Sequence, residues 1–204
     1  MPPERGGSER VGARRVGGMM FAKLGPVTML LLAMPGAAGS AEPGAAPVPA
    51  AVIALSGCWT GKGAVMGKPV AIALSAYPIV QDAMLAVEAA SSALADPSDD
   101  YAAHLIFGGD TRGPTPSAAK PTGDRIVGYW ADSFGGAFAA TGRGESRAGG
   151  FDITYRYANG SFVNRWRGAG DRLTWQIVSV DRKGRETPFA HYALTKTACR
   201  SAAS

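Results

Sequence analysis

Cysteine and histidine are scarce in this 204-residue chain, so the chemistry open to it can be weighed residue by residue. Cys58 and Cys199 are an even pair with no third partner. In an exported protein such a pair predicts a disulfide. It would close a loop of roughly 140 residues, which the chain-entropy account values at about 4–5 kcal/mol. Two lone thiolates hold a zinc ion only with histidine partners, and His104 and His191 lie far from both in sequence. Asp132 and Glu145 are candidates for acid–base work beside either histidine, a pairing that only a folded chain can create. No Gly-x-Ser-x-Gly elbow, phosphate loop, dinucleotide fingerprint or zinc spacing occurs. Binding is therefore expected ahead of catalysis.

The second chemical resource is aromatic. Phe151, Ile153, Tyr155 and Tyr157 fall on alternate positions, as do Phe162, Asn164 and Trp166, and again Leu173, Trp175 and Ile177. With Trp130 these make a mainly apolar wall carrying a few polar atoms, the usual lining of a small-ligand pocket. The expected cavity wall is Trp130, Phe151, Ile153, Tyr155, Phe162, Trp166 and Trp175, and the expected ligand is a small apolar or amphipathic molecule. A fully packed core is the alternative for the same pattern.

Period-two alternation between short Gly, Asn and Asp turns calls for antiparallel strands. Asn159-Gly160, the break at Gly168–Asp171 and the turn Asp181–Gly184 divide residues 149–196 into four of them. Upstream, strands are expected at Leu55–Gly63, Pro69–Ser75, Ala83–Ser91, Tyr101–Phe107, Arg125–Ala131 and Ala137–Gly142. Tyr77-Pro78 serves as a break, and Gln81–Leu94 is also compatible with a helix. The Pro/Gly-rich stretch Gly108–Gly123 reads as a long loop. Ten short strands with hairpin-length connections predict an all-β fold, a ten-stranded antiparallel up-and-down β-barrel. More than about eight strands leave an interior wider than side chains alone fill, hence the expected cavity.

The front of the chain reads as an address. Arg5, Arg10, Arg14, Arg15 and Lys23 precede the apolar run Leu24–Met34, and small residues follow to Ala41. Residues 1–41 are thus a secretory signal peptide, with cleavage after Ala41 and translation start at Met1 or at Met19 or Met20. Residues 42–50 read as a disordered Pro/Ala linker, 51–199 as the barrel domain and 200–204 as a tail. The protein is expected in the periplasm or secreted, with no stable membrane span in its mature form. Arg14-Arg15 is a weak twin-arginine pattern, and Leu55-Ser56-Gly57-Cys58 resembles a lipobox that would lipidate Cys58. Five basic and two acidic residues lie in the first 41, leaving 16 Lys/Arg against 14 Asp/Glu. That balance gives no concentrated basic face and argues against a nucleic-acid partner.

Leu55-x-Gly57-x-Trp59-x-Gly61-x-Gly63 resembles the opening strand of the lipocalin-like (calycin) superfamily, where a Gly-x-Trp strand closes the barrel base. Tyr129-Trp130-Ala131-Asp132-Ser133, with Gly142-x-Gly144 beyond, is similar to a mid-barrel stretch in a bacterial calycin family of unknown function related to nitrobindins. The resemblance implies a ten-stranded barrel with Trp59 packed across its floor. It also implies an alternative to the plain carrier. Nitrobindin-like proteins hold haem through a histidine near the start of the last strand, and His191 occupies a comparable place. An inward imidazole there would support peroxide or NO chemistry. Alternation sets Tyr192 and Leu194 on one face and His191 on the other, so an outward His191 is expected, with no cofactor and no metal site.

Overall fold

The computed structural model describes residues 46–110 and 124–199. The predicted signal peptide, the tail 200–204, the first part of the linker and most of the predicted long loop lie outside them. A single helical turn, α1 (Ala50–Ile53), precedes ten strands. These are β1 (Gly57–Val65), β2 (Lys68–Ile79), β3 (Met84–Ala93), β4 (Asp100–Gly109), β5 (Arg125–Asp132), β6 (Ala140–Arg147), β7 (Gly150–Tyr157), β8 (Gly160–Ala169), β9 (Arg172–Val180) and β10 (Glu186–Thr197). Each pairs antiparallel with its sequence neighbours, and β1 pairs with β10, so the sheet closes into an up-and-down barrel. Closure gives every strand a neighbour on each side.

The seam between β1 and β10 runs from Cys58 opposite Thr197 to Val65 opposite Ala190. Cys58 and Cys199 form a disulfide across its end, joining residues 141 apart in sequence. Within the barrel the alternation holds along strand after strand. Val70, Ile72, Leu74 and Ala76 of β2 are buried, as are Leu85, Val87 and Ala89 of β3 and Leu105 and Phe107 of β4. The segment that sequence alone leaves open between strand and helix is β3, settled by its pairing with β2 on one side and β4 on the other.

Four local expectations are corrected. Residues 46–50 are packed rather than free linker. Val48 and Pro49 are buried, and α1 places Val52 in the core at 0 % exposure. Leu55 belongs to the turn after α1, not to β1; it is buried, and its carbonyl accepts a 2.7 Å hydrogen bond from the Trp59 indole N–H. Tyr77-Pro78 does not break β2. Pro78 sits opposite Leu85, beyond the point at Ala76 where β1 stops pairing, so β2 has one neighbour there and the missing N–H is tolerated. Ala137 lies in a 3-10 turn, Gly136–Phe138, and β6 begins only at Ala140. Gly135, at φ +97°, starts that turn, which alternation of small residues does not reveal.

The β2–β3 turn is strained. Val80, Gln81 and Asp82 have φ of 54°, 55° and 63°, three consecutive left-handed residues of which none is glycine. Each costs about 1–2 kcal/mol in that region, most for β-branched valine. Val80 is 67 % exposed and contributes little packing in return. Val80→Gly is expected to raise the unfolding free energy by about 1 kcal/mol, net of glycine's extra unfolded-state freedom; urea titration checks it, and a loss of stability would contradict it. The Cys58→Ala/Cys199→Ala double variant is expected to lose about 3–5 kcal/mol in the same assay, matching the native protein under reductant.

Candidate functional site: the barrel interior and its two ends

The interior is built asymmetrically. Strands β7 to β10 send in Phe151, Ile153, Tyr155, Trp166, Leu173, Trp175, Tyr192 and Leu194, all buried. The facing strands contribute Phe107 and Trp130, aliphatic side chains such as Ile72, Leu85 and Leu105, and the small Ala76, Ala89 and Ala103. Phe151, Trp166, Trp175 and Tyr192 are successive register partners on β7 to β10 and form a row along the wall, which Phe107 and Trp130 meet from the facing strands. Trp166 stacks on Trp175 at 4.3 Å between centroids and on Phe151 at 6.0 Å, with Phe107 edge-on to both Phe151 and Trp166. Trp130 meets Tyr155 edge-on at 5.5 Å and Trp175 at 5.9 Å, and Tyr192 leans on Trp175 at 5.0 Å. Such pairs contribute about 0.5–1.5 kcal/mol each beyond the area they bury.

Two glycines make room for this. Gly128 and Gly142 are cross-strand partners, and Tyr155 lies opposite Gly142. A Cβ on Gly142 would come within 2.7 Å of the Tyr155 ring, and one on Gly128 within 2.8 Å of its hydroxyl. The ring is laid over two backbones that have no side chain to oppose it. Its hydroxyl is fully buried and has no hydrogen-bond partner, and burial pushes the phenol far above its ordinary range. Asn164 solves the same problem differently. It is the one polar residue in the core, 1 % exposed, and its Oδ1 accepts a 2.8 Å bond from the Trp175 Nε1–H.

All seven predicted wall residues face inward. Six are buried; Phe162 is half-buried near the barrel's other end, packed on Tyr157 and Phe189. They are brought together, but largely against each other. A cavity of about 350 Å³ lies at the end covered by α1, and of the seven only Trp166 lines it. The remaining lining is Ala51, Ala54 and Leu55 from the α1 segment, Trp59, Leu173, Ala169, the turn glycines of β6–β7 and β8–β9, and Arg147. Lys196 sits beside it with its Nζ 5.2 Å from the Trp59 ring centroid. Sequence reasoning missed the α1 contribution. A single helical turn after Pro49, with Val48 before it and Leu55 beyond it, is too short to show a helical period in the sequence.

The opposite end is open. Tyr101, Asp132, Tyr157, Phe162 and Ser179 occupy inward positions there and are only half-buried. Asp132 gathers three donors: Trp130 Nε1–H at 2.9 Å, Tyr101 hydroxyl at 3.1 Å and the Phe134 backbone N–H at 3.0 Å. Burial, with the Asp132 charge second, lifts the Tyr101 phenol far above its ordinary range.

Neither histidine faces the lumen. His191 is exposed on the outer face, opposite Gln176 and Ala64, while its neighbours Ala190 and Tyr192 point inward. A haem held inside the barrel would find no imidazole at that position. His104 is also outward, with Nδ1 2.5 Å from Glu88 Oε1, to which the Tyr77 hydroxyl donates at 3.2 Å. The two acids considered for acid–base pairing are elsewhere: Asp132 in the mouth, Glu145 bound to Arg147 at 2.9 Å. Among the described residues no three His, Cys, Asp or Glu side chains gather as metal ligands, and no helix is long and apolar enough to cross a membrane.

No family model and no curated protein matches this chain. Solved structures do. The crystal structure of Rv2717c from M. tuberculosis superposes with a TM-score of 0.54 at 13 % identity, covering 74 % of this chain and 99 % of that one. The S-type phycobiliprotein lyase CPES from Guillardia theta gives 0.49 at 10 % identity, covering 73 % and 92 %. At 13 % identity the likeness to Rv2717c speaks for the fold alone, which in this chain is a closed ten-stranded antiparallel up-and-down barrel.

Asn164 and Tyr155 are expected to behave oppositely on truncation. Asn164→Ala strands the Trp175 N–H and opens a void, for a loss of about 2–4 kcal/mol. Tyr155→Phe removes an unpartnered hydroxyl and is expected to be neutral or stabilising by about 1 kcal/mol. Chemical denaturation followed by tryptophan emission measures both, and equal losses would refute this account of the interior.

Proposed function

We propose that this protein is an exported small-molecule-binding barrel that takes an apolar or amphipathic ligand into the cavity beneath α1. The observation that carries the reading is the cavity itself. Its volume of about 350 Å³ exceeds the lower bound of roughly 300 Å³ for drug-sized pockets. Its lining is apolar for the larger part, with Trp59, Trp166, Leu55 and Leu173 supplying the large side chains and Arg147 and turn backbone the polar surface. Arg147 is the one ionisable residue in that lining, which favours binding over acid–base chemistry. Arg147 is paired with Glu145 and Asp152, so Lys196 beside Trp59 is the cation that favours a ligand whose polar end is anionic. Export is supported by the leader pattern of residues 1–41 and by the Cys58–Cys199 disulfide, which suits an oxidising compartment such as the periplasm or the cell exterior.

A second reading draws on the stacked rings of the interior. A barrel packed through its middle also suits a structural role played by its outer surface. One titration separates the two. 1-Anilinonaphthalene-8-sulfonate, an aromatic body with one sulfonate, is expected to bind with a micromolar dissociation constant and to quench the emission of Trp59 and Trp166. Ala54→Phe, which places a ring in the cavity from α1, is expected to weaken it about tenfold or more. Absence of binding, or binding indifferent to Ala54→Phe, favours the structural role.

A further inference from the structure

We propose that the open end of the barrel, opposite α1, holds a separate site for a small organic cation, seated against the Asp132 carboxylate and the rings of Tyr101 and Phe134. Asp132 follows Ile126, Gly128 and Trp130 on the inward face of β5, and the register sets it opposite inward-facing Ala103 of β4. It is the one carboxylate among the described residues whose strand position faces the lumen. The other strand carboxylates stand at outward positions: Glu145 pairs with Arg147, Asp152 with Arg167 and Glu186 with Arg165, Glu88 meets the His104 ring, and Asp100 is exposed at the start of β4. Asp132 has no cationic partner within salt-bridge distance among the described residues. Its donors are an indole, a phenol and a peptide N–H, which orient the carboxylate and leave its charge uncompensated.

The surroundings match what an organic cation needs. The Tyr101 hydroxyl is tied to Asp132, and the Phe134 ring lies 5.7 Å from the Tyr101 ring at 45°. Phe138 continues the row 6.2 Å beyond, its backbone carbonyl held by the Tyr157 hydroxyl at 3.3 Å. Phe134 is 71 % exposed and Phe138 53 %, an unfavourable placement for phenylalanine that a bound alkylammonium would relieve. Ring faces carry negative quadrupole potential, so a methylated or primary ammonium gains cation–π attraction from the rings and Coulomb attraction from the carboxylate. A neutral molecule of the same shape gains neither.

Choline and its uncharged isostere 3,3-dimethylbutan-1-ol test this directly. The readout is calorimetry together with the indole N–H resonance of Trp130, which donates to Asp132, identified by its loss in Trp130→Phe. Choline is expected to bind and shift that resonance, with the isostere about tenfold weaker or more. Asp132→Asn is expected to weaken choline about tenfold. Phe134→Leu, which leaves all three hydrogen bonds to Asp132 in place, is expected to weaken it about threefold. Ala54→Phe, at the other end of the barrel, is expected to change nothing, so failure here is distinct from failure of the cavity beneath α1. No choline binding at millimolar concentration, equal binding of the isostere, or binding unaffected by Phe134→Leu would overturn the proposal.

Discussion

Pairing of β1 with β10 is the contact on which the other features depend. It joins the two ends of the folded chain, from Cys58 beside Thr197 to Val65 beside Ala190, and converts a meander of nine hairpin-type neighbours into a closed wall. Contacts between chain ends are the most expensive in loop-closure entropy and the last to be rewarded during folding. The disulfide lies at that seam, where restricting the unfolded chain does most for the closed state. If the seam opened, two strand edges and the inward row of Trp59, Tyr192 and Leu194 would meet water together.

Closure also sets the terms for the interior. A ten-stranded lumen is wide for aliphatic side chains, and this chain fills it with a row of rings along β7 to β10 met by Phe107 of β4 and Trp130 of β5. Trp166, Trp175 and Phe151 overlap face to face, while Phe107, Trp130 and Tyr192 brace them from the sides. The wall beside Tyr155 is bare because it must be: Gly142 and Gly128, on the two neighbouring strands, lie directly under its ring. Such a plug gives the middle of the barrel rigidity and leaves the chemistry to its ends. The outer ion pairs, mostly half-exposed, contribute about 0–1 kcal/mol each and mainly keep the wall polar.

The two ends have opposite character. Beneath α1 the cavity is apolar for the larger part, with Arg147 in its lining and Lys196 nearby. At the other end a lone inward carboxylate sits among tyrosine and phenylalanine rings. This polarity arises from the topology. In an up-and-down barrel every second connection falls at the same end, so residues distant in sequence, such as Tyr101, Asp132 and Tyr157, become one rim.

Alternation in the sequence was enough to identify most of the strands and their faces, with β3 left open between strand and helix until its pairing decided it. Phe151, Ile153 and Tyr155 point inward and His191 outward because a strand turns each successive side chain to the opposite face, a rule that acts within a few residues. The pairing of two lone cysteines was legible for a similar reason, since each had one possible partner. Local pattern failed where a residue's state depends on a distant neighbour. Pro78 remains in β2 because β1 has already ended, and Val48 and Val52 are buried because the barrel end needs a cover. Whether the seven predicted wall residues would surround a space or fill it was likewise a tertiary matter. The sequence determines which face each ring occupies, but only the stagger of the closed sheet decides what stands across from it.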